Sequence, residues 1–195
     1  MGNPALTPQE SFTYREYRTW PDDERWELID GQAWAMSPAP MTRHQDLSGK
    51  LFLAIGNFLE GKPCKVYSAP FDVLFPQGEE SDDETRTVVQ PDIVVICDKS
   101  KITERGGRGA PDWIIEILSP RTAKKDLETK YRLYERHGVR EYWIVDPGAK
   151  VIHAWRLGKD GRFGEESIYD EGENAPSSVL AGLVIDTQRL FSEQD

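Results

Sequence analysis

At 195 residues, with 38% apolar side chains and six tryptophans, the chain is long and apolar enough to bury a substantial core. Its formal charge of −10 excludes a protein that coats nucleic acid by charge alone, but leaves room for an enzyme whose acids hold a metal. No run reaches the roughly 18 apolar residues of a membrane span, and Met1 to Glu10 lacks the pattern of a secretory signal, so a cytoplasmic protein is expected.

Phe12 to Trp20 reads as a short helix, broken at Trp20-Pro21-Asp22-Asp23. Arg25 to Met36 reads as a hairpin turning at Asp30-Gly31, a strong turn dipeptide. Thr42 to Glu60 is predicted helical, because Leu47, Leu51, Ile55 and Leu59 recur at helical spacing and Gly61 stops the run. Lys65 to Phe75 reads as one strand, with Pro70 marking an edge or a bulge. A polar loop over 76–87 leads to a strand from Val88 to Ile96. Asp98 to Gly109, with glycines 106, 107 and 109, reads as a mobile linker.

Trp113 to Leu118 is the next strand, Thr122 to His137 a helix stopped by Gly138, and Glu141 to Asp146 a strand. Two further strands are expected at Val151 to Leu157 and Glu166 to Tyr169, before an apolar stretch from Leu180 to Phe191. The long helix between the strands at 113 and 141 predicts a crossover within a mixed sheet, hence an α/β fold. A single domain is expected, with its core over about 12–147 and a C-terminal β extension over 148–195. Cys64 and Cys97 fit a reduced intracellular protein better than a disulfide scaffold.

The chemistry concentrates in two apolar strands that each carry an acid. Asp92 opens Gln90-Pro91-Asp92-Ile93-Val94-Val95-Ile96, and Glu116 lies inside Trp113-Ile114-Ile115-Glu116-Ile117-Leu118. An ionised carboxylate in such a setting is costly unless it is paired or binds a metal. Asp92 and Glu116 on neighbouring strands would supply oxygen ligands to a hard cation, Mg²⁺ or Mn²⁺, with the backbone carbonyl of Ile117 as another. Lys130 is the candidate positive group, with Asp126 one turn before it and Tyr134 one turn after it on the same helix face. Asp72 sits in an apolar strand and reads equally as structural. The three histidines lack zinc-site spacing, and no phosphate loop or nucleophilic serine elbow is present.

Trp26-Glu27-Leu28-Ile29-Asp30-Gly31, Met36-Ser37-Pro38 with His44, the two acidic strands, and Gly138-Val139-Arg140-Glu141-Tyr142-Trp143-Ile144-Val145-Asp146-Pro147 follow one another in a fixed order. In this the chain resembles the Uma-two family of restriction-endonuclease-like proteins, over about residues 12–147. The resemblance implies the PD-(D/E)XK nuclease superfamily, with a mixed central sheet flanked by helices, to which an N-terminal hairpin and C-terminal strands are added. It implies Asp92 as the first acid and Glu116 as the second. Leu118 stands where the basic pattern has lysine, so the lysine role passes to Lys130 on the following helix. Glu27 is implied as a further acidic member, and His44 as a residue of the same cleft.

The function expected is metal-dependent hydrolysis of DNA phosphodiesters. The alternative is a nuclease-like binding or assembly module that no longer cuts. From Arg121 to Arg140 seven Lys/Arg face three acids, so Arg121, Lys124 and Lys125, with Arg105 and Arg108 in the preceding loop, are candidate phosphate contacts. A homodimer is expected if Trp143, Trp155 and the apolar tail exceed what one subunit buries.

Overall fold

The computed structural model describes residues 11–21, 24–36, 41–120 and 123–192. Their strands form two six-stranded mixed sheets and one isolated pair. The hairpin forms as predicted, with β1 (Trp26–Ile29) and β2 (Gln32–Ala35) antiparallel. Asp30 and Gly31 take φ of 53° and 78°, the two positive angles that a two-residue hairpin turn requires. The predicted first helix shrinks to α1 (Tyr14–Tyr17), while α2 (Thr42–Leu59) runs nearly its full expected length.

Two strands read as continuous are each broken at a proline. Lys65 to Phe75 divides into β3 (Lys65–Ser68) and β4 (Val73–Leu74) around Pro70. Val88 to Ile96 divides into β5 (Val88–Val89) and β6 (Ile93–Ile96) around Pro91. Proline has no N–H for the ladder, so each chain leaves one sheet there and enters the other. The two breaks lie side by side, since Ala69 N donates to the Asp92 carbonyl at 3.0 Å.

The segment read as a mobile linker is instead built into the first sheet, as β7 (Ile102–Thr103) and β8 (Gly106–Arg108). Its glycines serve close approach: Gly106 has φ +142°, and a Cβ there would lie 2.1 Å from the Asp72 carbonyl oxygen. The first sheet runs β2-β1-β5-β4-β8-β7.

The second sheet is built around β9 (Trp113–Ile117) and β10 (Glu141–Asp146), which pair in parallel through the predicted crossover. Its helix, already wound at Ala123 and Lys124, passes through a π-helical turn over Lys125–Lys130 and continues as α3 (Tyr131–His137), ending at Gly138 with φ +83°. The C-terminal strands β11 (Val151–Arg156) and β12 (Ser167–Asp170) extend the same sheet, giving the order β12-β11-β10-β9-β6-β3. The pair β13 (Asn174–Pro176) and β14 (Val184–Asp186) is followed by α4 (Thr187–Phe191).

One face of the second sheet packs on α2 and the tail: Ile93, Ile115 and Trp143 meet Leu51, Ile55, Leu183 and Phe191. The other face packs on α3: Val94, Ile114, Tyr142 and Ile144 meet Leu133 and Tyr134. Trp143, Trp155 and the apolar tail are thus buried within one chain, which removes the reason for expecting a homodimer. The cysteines also depart from expectation. Cys64 and Cys97 flank the Lys65↔Ile96 pair of the β3–β6 ladder and are joined as a disulfide. No helix among the described residues is long and apolar enough to cross a membrane.

Candidate active site

The antiparallel register Ile93↔Ile115 sets Asp92 opposite Glu116 where β6 and β9 meet the break at Pro91. Directly opposed residues leave a sheet on one face, with Cβ atoms about 4.5–5.5 Å apart. Alternation along β9 sends Ile115 toward α2 and Glu116 toward the π-helical turn and α3. Five of the residues singled out in sequence converge on this point: Asp92, Glu116, Lys130, Asp126 and Glu27.

Lys130 is its centre. Its Nζ lies 2.8 Å from Glu116 Oε1, 2.9 Å from Glu27 Oε1 and 3.7 Å from Asp126 Oδ1. Lys125 Nζ lies 2.6 Å from Glu27 Oε2. Lys125 thus lines the cleft paired to an acid, and the helix geometry explains it. At about 100° per residue, side chains five apart on an α-helix diverge by about 140°. The i→i+5 winding over Lys125–Lys130 closes that angle and turns both ammonium groups toward Glu27. Tyr142 OH, donating at 3.1 Å to the Asp126 carbonyl, braces the turn from β10.

Glu27 and Glu116 are both buried, yet their environments push them in opposite directions. Burial alone would raise Glu27, but Lys130 and Lys125 more than reverse this and hold it at about 2. Glu116 is pushed up to about 8 by burial, helped by Asp126, Asp92 and Glu27, with Lys130 opposing. The two acids compete for one ammonium, and Glu27 alone has a second. Burial would lower Lys130, but Glu116, Glu27 and Asp126 drive it well above its ordinary value. Four acids surround two lysines here, which leaves Glu116 the acid short of positive charge.

The open atoms define what the site can bind. Glu116 Oε1 accepts from both Lys130 and Tyr134 OH (2.7 Å), and no described residue donates to Oε2. Asp92 Oδ2 accepts from the backbone N of Ile117 at 2.8 Å and lies 3.2 Å from His44 Nε2, whereas Oδ1 receives no described donor. Each opposed acid therefore has one oxygen fixed and one open. Burial lowers His44, but Asp92 and the Ile117 backbone outweigh it, so its net shift is upward. These residues line a cleft of about 410 Å³ whose other walls include Met36, Met41 and Pro147.

Among the described residues, no three His, Cys, Asp or Glu converge as a ready-made metal cage. The donor set present is two carboxylates with one free oxygen each, beside the backbone of Ile117. That suits an ion which takes one or two carboxylates and keeps its waters, as Mg²⁺ does.

The remaining sequence candidates fall elsewhere. Asp72 does not line the cleft; it accepts from Gln90 Nε2 at 2.9 Å and Tyr17 OH at 3.2 Å. Arg108 is held by Asp82 at 2.7 Å, and neither it nor Arg105 lines the cleft. Lys124 is exposed just before the π-helical turn, and Arg121 lies outside the described residues. Besides Lys125 and Lys130, the basic residues that line the cleft include Arg25 and Arg43. The signal for Arg25 was its place two residues before Glu27, on the same face of a strand.

A family model described as "Putative restriction endonuclease" (Uma2) matches residues 14–188. An uncharacterised protein of Synechocystis is 26% identical over 159 residues, covering 81% of this chain and 77% of that protein. A solved structure described as "a putative nuclease belonging to DUF820", from Anabaena variabilis, has a TM-score of 0.73 at 22% identity, covering 92% of this chain and 97% of that one.

Proposed function

The chain belongs to the Uma2 family, and on that footing we propose that it is a metal-dependent endonuclease hydrolysing DNA phosphodiester bonds. One observation carries the reading. Two opposed acids, half-buried Asp92 and buried Glu116, each present one fixed and one open oxygen to a cleft whose acids outnumber its lysines. Asp92 and Glu116 would hold Mg²⁺ or Mn²⁺, with the Ile117 carbonyl as a third oxygen. When bound, such an ion supplies Lewis acidity and an activated water.

The chain's own groups do the rest. Lys130 is a fixed positive charge beside Glu116, placed to orient water or to stabilise negative charge as it develops on phosphate. Glu27 stays ionised and keeps Lys130 and Lys125 from turning to solvent. Tyr134 fixes the rotation of the Glu116 carboxylate, and His44 with the Ile117 N–H fixes that of Asp92, so neither must reorganise when a cation arrives.

The test is nicking of supercoiled plasmid with Mn²⁺. Wild type is expected to nick, and Asp92→Ala and Glu116→Ala to lose at least about 100-fold, more than loss of a supporting group costs. Equal nicking by all three would assign the activity to another source. The full pairing of Lys125 and Lys130 with carboxylates favours a second reading, a nuclease-like binding or assembly module. Calorimetric titration separates the two, since absence of Mn²⁺ binding at millimolar concentration supports the module.

A further inference from the structure

We infer that Arg25 is a phosphate-binding residue of the cleft, held in position by Gln90. The inference deepens the proposed function, and rests on it for the view that the phosphate belongs to a nucleic-acid backbone.

The backbone of Arg25 is fixed at the base of the hairpin, where its carbonyl accepts from Met36 N at 2.8 Å. Because strand side chains alternate, Arg25 leaves on the same face as Glu27. Its guanidinium then reaches Gln90, donating to Oε1 from Nε at 3.1 Å and from Nη2 at 2.7 Å. Gln90 cannot be turned the other way round. Its Nε2 donates to Asp72 Oδ1 at 2.9 Å and to Tyr17 Oη at 3.0 Å, which leaves the amide oxygen for Arg25. The backbone N of Gln90 also donates to Glu27 Oε1 at 2.9 Å. One residue, directly before Pro91-Asp92, thus braces both the arginine and the acid cluster.

The chemistry of the partner is decisive. Arg18, Arg108, Arg136, Arg140 and Arg162 each lie against a carboxylate. Among the described ion pairs none joins Arg25 to an acid. A neutral amide fixes its orientation on the cleft lining, with no direct ion pair among the described residues. An exposed arginine needs no such bracing to stay soluble. With Nε and one N–H of Nη2 engaged on one side, Nη1 and the second N–H of Nη2 are left for an incoming anion, and that fork suits phosphate oxygens. Asp72, behind the amide, is raised by burial although Gln90, Tyr17 and Arg25 oppose that, so the arginine feels this acid through the amide without a direct ion pair.

The test measures binding rather than cutting, by anisotropy of a fluorescein-labelled duplex in EDTA and by calorimetry with inorganic pyrophosphate. Wild type is compared with Arg25→Gln and Arg25→Lys, all with matching thermal melts. Arg25→Gln is expected to weaken duplex binding roughly tenfold and to reduce the slope of log affinity against log salt by about 1. Arg25→Lys should restore the slope but only part of the affinity, since it returns the charge without the fork. A structural role would not move the slope.

If wild type binds duplex and Arg25→Gln binds it equally, the inference falls and the endonuclease reading stands. If pyrophosphate binds in an Arg25-dependent way while duplex neither binds nor is cut, the inference holds and the DNA reading falls. If wild type binds neither probe, the inference is overturned.

Discussion

Glu27 and Glu116 share one lysine, are equally buried, and behave as opposites. Glu27 has a second ammonium and two occupied oxygens, so it is a closed, permanently charged anchor. Glu116 has one oxygen occupied, three acidic neighbours and a raised affinity for protons, so it is the half of the site short of positive charge. Burial does not distinguish a structural acid from a ligand-binding acid. The count of cations around each oxygen does.

The largest effect that would break this contrast is on stability. Glu27→Ala leaves two lysines facing a site with one acid fewer, and is expected to cost about 3–5 kcal/mol in urea unfolding. Glu116→Gln, by contrast, replaces a carboxyl whose burial already favours its neutral form. It should change stability by less than about 1 kcal/mol while abolishing metal-dependent cleavage. Equal losses for the two variants would dissolve the distinction.

pH sharpens it next. Glu27 is depressed from 4.5 to about 2, so its contribution is present above pH 4.5 and is lost as pH falls toward 2. Glu116 is raised from 4.5 to about 8, so its contribution is full below pH 4.5 and is lost as pH rises through 8. Urea midpoints against pH should therefore fall at both ends. Glu116→Gln is expected to flatten only the decline between about 4.5 and 8.

Tyr134→Phe removes one donor from Glu116 Oε1 and should cost about 1–3 kcal/mol in the same assay, with Glu27 chemistry untouched. The smallest effect is expected at Arg108→Ala. That residue sits in an exposed ion pair with Asp82, so its stability cost should stay below about 1 kcal/mol and duplex affinity should not change.

Much of this was legible in the chain. The parallel crossover from Trp113–Ile117 to Glu141–Asp146 followed from two apolar strands separated by a helix, and the hairpin from Asp30-Gly31. Asp92 and Glu116 stood out because acids are rare in such strands. What stayed hidden depended on register or local winding. Residues 65–75 and 88–96 read as single strands because both halves of each are apolar, so periodicity carries no mark of a change of sheet. The Cys64–Cys97 disulfide needs the β3–β6 register, which brings together residues 33 apart. Lys125 looked like a surface charge because α-helical spacing turns it away from Lys130, and only the π-helical turn brings them together. Arg25 was overlooked because its one local mark, a place two residues before Glu27, says nothing of Gln90, 65 residues away.

The most direct test of the central claim is a crystal soaked in millimolar Mn²⁺ and measured for anomalous scattering. An ion bound to Asp92 Oδ1 and Glu116 Oε2, with Glu27 still held by Lys125 and Lys130, is the result expected. A crystal showing no manganese between the two strands, or manganese on Glu27 in place of its lysines, would contradict the account.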